Sequence, residues 1–282
     1  MIEDMKSNAL TMQEIQSVSL EILKQVSDLC EKINLRYFLT YGTLIGAIRH
    51  KGFIPWDDDI DIMMPRPDYD KLLSYFLEHK ADYPTLELFN SSTCKNYPYM
   101  ISRFSDNRYL LEVDNEKPYG IGIFIDVYPL DGLGESMEEA KRFGGKGDIL
   151  STFCYQSTRV HYDPQTLTSG HKLLKAIIKL PVFAVAKILG KRFFEKKLNK
   201  LTWKSYDESK YVGPVVWLVG GEENIFPKEW FDSLVSIPYE KYSFKVPEKY
   251  DVFLRNMYGD YMQLPPEKDR VGHHYYKAYR KQ

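Results

Sequence analysis

Trp56-Asp57-Asp58-Asp59-Ile60-Asp61-Ile62-Met63-Met64 decides how this chain reads. Four carboxylates fall within five positions, and apolar residues follow at once. Close anions repel one another unless they are solvated or paired, so the stretch is either a solvated loop or a cation site. From Asp59 the residues alternate acid, apolar, acid, apolar, which is the period of a half-buried strand. Alternate side chains of a strand share a face, so Asp59 and Asp61 project together beside an apolar core. Two hard oxygen donors on one face suit Mg2+ or Mn2+, and magnesium usually completes its shell with water and substrate phosphates.

Upstream, residues 11–34 read as a helix. Thr11-x-x-Glu14 is a capping box, and Ile15, Val18, Ile22, Val26, Leu29, Cys30 and Ile33 form one apolar stripe. A short strand is expected at 37–40. It leads to Gly42-Thr43, read as a tight turn in which Thr43 caps a short helix. A helix N-terminus preceded by glycine is a ready phosphate site. Together with Asp-x-Asp, it supplies both halves of a phosphate-metal site.

Downstream, Pro65 and Pro67 are expected to end the acidic strand, with Asp68 capping the next helix. Strand-like runs follow at Leu86–Phe89, 97–104, Tyr109–Val113 and 120–127. In the last, Asp126 sits among apolar residues, where a carboxylate needs a partner or a metal. Relief of repulsion among the acids predicts that Asp126→Asn keeps the fold and raises its stability without metal. Tyr128-Pro129-Leu130-Asp131-Gly132 reads as a turn. A helix is expected over 136–159, interrupted by Gly144, Gly145 and Gly147. Residues 171–200 hold eight lysines and Arg192 against Glu195 alone, a net of +8, while the rest of the chain carries -9. Their apolar stripes, broken near Pro181, read as a basic amphipathic helix pair. Such a pair suits an anionic membrane surface, or else a helical subdomain with a solvated lysine face. A buried strand and turn are expected within 203–224, a strand at 238–247 and a helix at 248–259.

Composition narrows the class. Apolar content of 44% and charged content of 27% are ordinary for a soluble globular protein. A net charge of -1 argues against a nucleic-acid binder, which usually carries a basic excess. Cys30, Cys94 and Cys154 form neither a metal-ligand spacing nor an even disulfide set, which favours a reducing compartment. The first ten residues do not read as a signal peptide, and no stretch is apolar enough to span a bilayer.

The run from Tyr41-Gly42-Thr43-Leu44 through Arg49-His50-Lys51 to Trp56-Asp57-Asp58-Asp59-Ile60-Asp61 resembles the signature of the LicD family of phosphotransferases. So do Ile125-Asp126-Val127-Tyr128-Pro129-Leu130-Asp131-Gly132, Tyr258-Gly259-Asp260-Tyr261-Met262, and Leu264-Pro265-Pro266 through His273-His274. The resemblance implies an α+β, polymerase-beta-like nucleotidyltransferase fold: a mixed sheet with flanking helices and a helical insertion. Residues 1–135 would form the catalytic core, 136–210 the insertion, and 211–282 the part completing the core. It also implies transfer of phosphorylcholine from CDP-choline to a sugar hydroxyl of a lipid-linked glycan, teichoic acid or lipopolysaccharide, at the cytoplasmic membrane face. Ribitol phosphate, glycerol phosphate or a nucleotide are alternatives on the same fold, and a non-catalytic scaffold is the alternative of another class.

The resemblance also assigns roles. Asp59, Asp61 and Asp126 hold Mg2+ or Mn2+, with Asp57 joining them; Asp126 can instead act as base. Gly42 and Thr43 contact phosphate, and Arg49, Lys51 and Arg103 are candidate phosphate clamps. Trp56, His273 and His274 complete the substrate set. A choline ammonium, which cannot donate hydrogen bonds, would seek aromatic faces, with Trp56, Tyr97, Tyr99, Tyr155 and Trp217 as candidates.

Overall fold

A computed structural model describes residues 9–162, 172–201, 205–217, 221–271 and 276–281. Helix α1 (Met12–Lys32) begins at the capping box, with Thr11 and Glu14 each satisfying the other's backbone N–H, an arrangement worth about 1 kcal/mol. It buries Ile22, Leu23, Val26, Leu29 and Cys30 in the main core. Strand β1 (Phe38–Leu39) leads to helix α2 (Tyr41–Arg49). That helix starts earlier than the Gly-Thr reading places it. Thr40 is its cap residue, without a side-chain cap bond, and Gly42 and Thr43 lie in its first turn.

Strand β2 (Asp61–Pro65) is wholly buried and runs directly into helix α3 (Arg66–Glu78). Pro65 occupies the cap position of α3. Asp68 lies within the first turn instead and accepts a 2.8 Å hydrogen bond from Arg36 Nε. Then come β3 (Leu86–Phe89), β4 (Ser102–Asp106), β5 (Tyr109–Val113) and β6 (Phe124–Gly134). The turn expected at 128–132 is instead the second half of β6. Pro129 falls past the last β4 pair, at Val127, and before the next partner strand joins at Asp131. On that side its missing N–H therefore forfeits no ladder bond. Asp131 is neutralised by Arg66, whose Nε and Nη2 donate to its two oxygens at 2.6 and 3.1 Å.

Helix α4 (Met137–Thr158) runs unbroken through its glycines. At Gly147 a Cβ would stand 2.5 Å from the carbonyl oxygen of Val215, so the glycine lets the helix close on the chain beside it. Helices α5 (Lys172–Leu189) and α6 (Lys191–Leu201) confirm a basic helix pair. The break falls at Gly190, in the left-handed region at φ 73°, while Pro181 is carried inside α5. α4 packs on both through Cys154, Ala186 and Leu198, with the Phe153 and Phe194 rings stacked at 5.3 Å.

The strand expected within 203–224 is only three residues, β7 (Tyr211–Gly213), followed by two short 3-10 turns and β8 (Phe226–Pro227). The strand expected at 238–247 is a hairpin of β9 (Leu234–Tyr239) and β10 (Tyr242–Pro247). Helix α7 (Tyr250–Tyr258) and β11 (Tyr276–Arg280) complete the described chain.

One mixed sheet organises these elements, in the order β1-β2-β6-β4-β3, with β7 on β6 and β8 on β7. β2 and β6 are parallel, and β6 is antiparallel to β4 and β7. The three helices α4 to α6 are inserted between β6 and β7, which are neighbours in the sheet. The fold is thus α+β with flanking helices. Among the described residues, no helix is long and apolar enough to cross a membrane.

Candidate active site

The parallel pairing of β2 with β6 sets the site. Its first register pair is Asp61 with Asp126, and the Asp126 N–H donates to the Ile60 carbonyl at 2.8 Å. Asp59 lies in the loop just before β2, so the strand begins two residues later than the alternation predicts. Its carboxylate still joins the pair. Oxygens of Asp59, Asp61 and Asp126 all lie within 4.8 Å of one another, and Asp57, Asp58 and Asp59 form a second such group.

Backbone hydrogen bonds from three elements hold this acidic loop in place. Gln16 of α1 donates to the Asp57 carbonyl at 2.8 Å. Tyr276 of β11 donates its hydroxyl to the Asp58 carbonyl at 2.9 Å. Thr43 of α2 accepts from the Asp61 N–H at 2.8 Å. The Thr43 hydroxyl is therefore buried against the strand it supports, which is a different task from touching phosphate. Gly42 stands at the start of α2, where a Cβ would lie 2.7 Å from Asp57 Oδ2. The helix start, with its unsatisfied N–H groups, thus faces the same acidic corner.

Electrostatically the corner is unbalanced. Asp61 is 7% exposed, and its Oδ1 is buried with no hydrogen-bond partner. Burial first, then the charges of Asp59, Asp126 and Asp57, push its carboxyl well above the ordinary aspartate range. A partnerless buried oxygen among converging carboxylates fits a divalent cation, whose charge reverses this balance.

Asp126 is different. Arg103, its register partner on β4, donates from Nε and Nη2 to its two oxygens at 2.5 and 3.2 Å, and both residues are buried. Arg103 is therefore Asp126's counter-ion rather than a phosphate clamp. The pairing also supplies the compensation that the isolated carboxylate lacked on sequence grounds, and it reverses the expected effect of Asp126→Asn.

A cavity of about 580 Å³ opens over the acids. Gly42, Arg49, Trp56, Asp57, Asp59 and Asp61 line one part of it, and Tyr258, Tyr261 and the 263–266 loop line another. Arg49 joins the two parts, donating from Nη1 to the carbonyls of Tyr261 and Gln263 at 2.7 and 3.2 Å. Tyr258 is 45% exposed as a whole, yet burial of its hydroxyl end and then the charges of Asp61, Asp57 and Asp59 raise its phenol. Lys51 is exposed and off the cavity wall. His273, His274 and the Trp217 side chain lie outside the described residues.

Four of the aromatics singled out for choline already face a protein cation. Arg103 lies 4.0 Å from the Tyr99 ring centre and Arg159 lies 4.0 Å from that of Tyr155. Lys191 is 5.8 Å from Tyr97 and Arg270 is 5.7 Å from Trp56. Sequence reasoning missed Gln16 and Tyr276, whose roles depend on contacts 41 and 218 residues away. The Tyr258 and Tyr261 motif was visible, but only as part of a resemblance.

Comparison with known proteins agrees with this geometry. Residues 34–149 match the family model described as LicD/FKTN/FKRP, nucleotidyltransferase domain, a span that contains all five acids of the corner. The chain is 31% identical to the lipopolysaccharide cholinephosphotransferase LicD of Haemophilus influenzae, over 96% of its own length and 98% of that protein's. It is also 33% identical over 92 residues to an uncharacterized protein of Rickettsia typhi, covering 29% of this chain and 30% of that one. A family match that spans the acidic corner, and an alignment that runs almost end to end, establish that the chain belongs to the LicD family.

Proposed function

We propose that the protein transfers phosphorylcholine from CDP-choline to a sugar hydroxyl of a lipopolysaccharide or teichoic acid precursor, releasing CMP. The observation that carries this reading is the convergence of Asp59, Asp61 and Asp126 on one another, with Asp59 and Asp61 on the wall of a cavity beside the N-terminus of α2, in a chain aligned almost end to end with a cholinephosphotransferase.

Asp59, Asp61 and Asp126 would hold Mg2+ or Mn2+, which when bound neutralises phosphate charge and stabilises the leaving oxygen. The rest falls to the chain itself. The start of α2 at Gly42 directs backbone N–H groups toward a diphosphate. Trp56 and Arg49 line the cavity in which the nucleotide would lie. Arg103 fixes the orientation of Asp126 from behind. The acceptor oxygen forms a bond to the distal phosphorus as the bond to the bridging oxygen breaks, and CMP departs with that electron pair. Asp57, which lines the cavity outside the trio, would take the acceptor's proton. Transfer of this kind depends on positioning and charge more than on covalent chemistry by the protein.

The helix pair α5 and α6 supports a membrane-surface location for the reaction. Leu180, Val185, Ile188 and Phe193 are exposed there, beside exposed Arg192, Lys196, Lys197 and Lys200. Exposed apolar groups flanked by cations suit the surface of an anionic membrane, where a lipid-linked acceptor is held. The functional test is product analysis with CDP-choline, CDP-ribitol and CDP-glycerol as competing donors in the presence of magnesium. Phosphorylcholine transfer is expected to dominate, and preferential transfer of a polyol phosphate would overturn the assignment.

A further inference from the structure

A second cavity, about 360 Å³, shares Asp61 and Tyr258 with the first. Tyr41, Tyr128, Met257 and Glu223 complete the part of its wall that matters here. Five elements build it: α2, β2, β6, α7 and the 3-10 turn Gly221–Asn224. Tyr41 opens α2 with φ at 48°, a conformation costly for an aromatic residue and maintained only where the surroundings demand it. Its hydroxyl is buried without a hydrogen-bond partner. Tyr128 follows Asp126 by two residues on β6, so it shares the face of the metal-site carboxylate. The Tyr41 and Tyr128 rings meet at 5.1 Å and 74°, forming a corner. Tyr258 ends α7, and Glu223 lies in the 3-10 turn Gly221–Asn224, whose backbone Asn256 of α7 holds with a 3.0 Å hydrogen bond to the Glu223 carbonyl.

The chemistry of this wall is selective. Three phenol rings, a thioether, two carboxylates and the single amide of Asn224 surround the space, and no lysine or arginine lines it among the described residues. A polyol would need paired donors and acceptors around each hydroxyl. A quaternary ammonium donates no hydrogen bond and is held by aromatic faces and by nearby anions. Four of the aromatic candidates read from sequence already face Arg103, Arg159, Lys191 and Arg270, whereas this set borders the acidic corner directly.

We propose that this second cavity is the alcohol subsite, in which Tyr41, Tyr128 and Tyr258 enclose the trimethylammonium group of the donor and Glu223 balances its charge. The proposal rests on the phosphorylcholine reading above. The donor then spans both cavities: the cytidine end lies in the larger, the reacting phosphate at Asp61, and the ammonium in the smaller. Tyr41, Tyr128, Tyr258 and Glu223 are specificity-determining residues, since they touch the part of the donor that is kept in the product.

The test compares donor kinetics of the full-length enzyme with those of Tyr128→Phe, Tyr128→Leu and Glu223→Gln. The inhibition constant of CMP, which carries no ammonium, is measured alongside for each. KM for CDP-choline is expected to rise about tenfold in Tyr128→Leu and in Glu223→Gln, while Tyr128→Phe, which keeps its ring, stays near the parent. CMP inhibition is expected to be unchanged throughout, which also reports that the variants are folded. If the parent transfers phosphorylcholine and neither variant moves KM, the subsite is wrong while the functional reading stands. If the parent rejects CDP-choline and transfers a polyol phosphate, the functional reading fails and the subsite falls with it.

Discussion

Arg103 and Asp126 face each other across the antiparallel strands β4 and β6, with the guanidinium holding both carboxylate oxygens at 2.5 and 3.2 Å. The Arg103 guanidinium in turn sits against two aromatic rings, 4.0 Å from the centre of Tyr99 and 3.9 Å from that of Phe124. One face of the carboxylate is thus fixed by a buried cation, and an oxygen still lies within 4.8 Å of oxygens on Asp59 and Asp61. This is how a ligand is oriented by an outer partner before any ligand binds.

The pair predicts the stability of Asp126→Asn. Removing one member of a buried ion pair leaves the other charge uncompensated, at a cost of about 3–5 kcal/mol. Chemical denaturation is expected to show that loss, and replacing both residues with apolar ones (Arg103→Met with Asp126→Leu) is expected to recover much of it. A variant Asp126→Asn as stable as the parent would show that the ion pair does not form.

Asp61 predicts the opposite sign. Its carboxyl is raised in the fold, so the folded state binds more protons than the unfolded state from the ordinary aspartate value up to the raised one. Stability without metal therefore falls as pH rises through that window. Asp61→Asn is expected to raise the melting temperature in EDTA, more at pH 7 than at pH 4. Added magnesium is expected to stabilise the parent and not the variant. Equal melting curves for parent and variant at both pH values would contradict the repulsion argument.

Thr43 gives a test of positioning against phosphate contact. Thr43→Val leaves the buried Asp61 N–H without its acceptor, which costs about 1–3 kcal/mol. The expected kinetic effect is a lower kcat with little change in donor KM, because the carboxylates shift while the donor cavity stays. Thr43→Ser, which keeps the hydroxyl, is expected to restore both. A stable Thr43→Val enzyme with a raised donor KM would return Thr43 to the phosphate site.

The acidic corner was legible because a period of two and an acid-rich run are local signals, and Asp126 stood out as a charge among apolar neighbours. The capping box at Thr11 and the strands at Leu86–Phe89 and Tyr109–Val113 were equally local. What could not be read was register. Nothing near Arg103 in sequence indicates that it will face Asp126, and Pro-Leu-Asp-Gly carries a strong turn signature that only the vacancy between β4 and β7 overrides. The β9 to β10 hairpin lacked its signal for a different reason. Its two-residue turn, Glu240-Lys241, places Glu240 at φ 52° without the usual glycine or asparagine.

Membrane contact is tested on α5 and α6. Lys196→Glu, Lys197→Glu and Lys200→Glu together are expected to weaken binding to vesicles containing anionic lipid, each basic residue near the surface contributing about 1 kcal/mol. Ile188→Asn is expected to weaken it independently through the apolar term, since Ile188 is 81% exposed. Lys191 is a poor choice for this test, because its ammonium bonds to the Tyr97 carbonyl and pairs with Glu195 at 2.8 Å. Unchanged sedimentation of the triple variant with anionic vesicles would remove the membrane from the account.

The most direct measurement of the central claim is 31P NMR of a reaction holding enzyme, magnesium, CDP-choline and a lipopolysaccharide acceptor. CMP and a new phosphodiester are expected in equal amounts, with neither formed when EDTA replaces magnesium or when Asp61→Asn replaces the parent. Equal product in EDTA, or release of CMP and free phosphorylcholine with no phosphodiester, would contradict it.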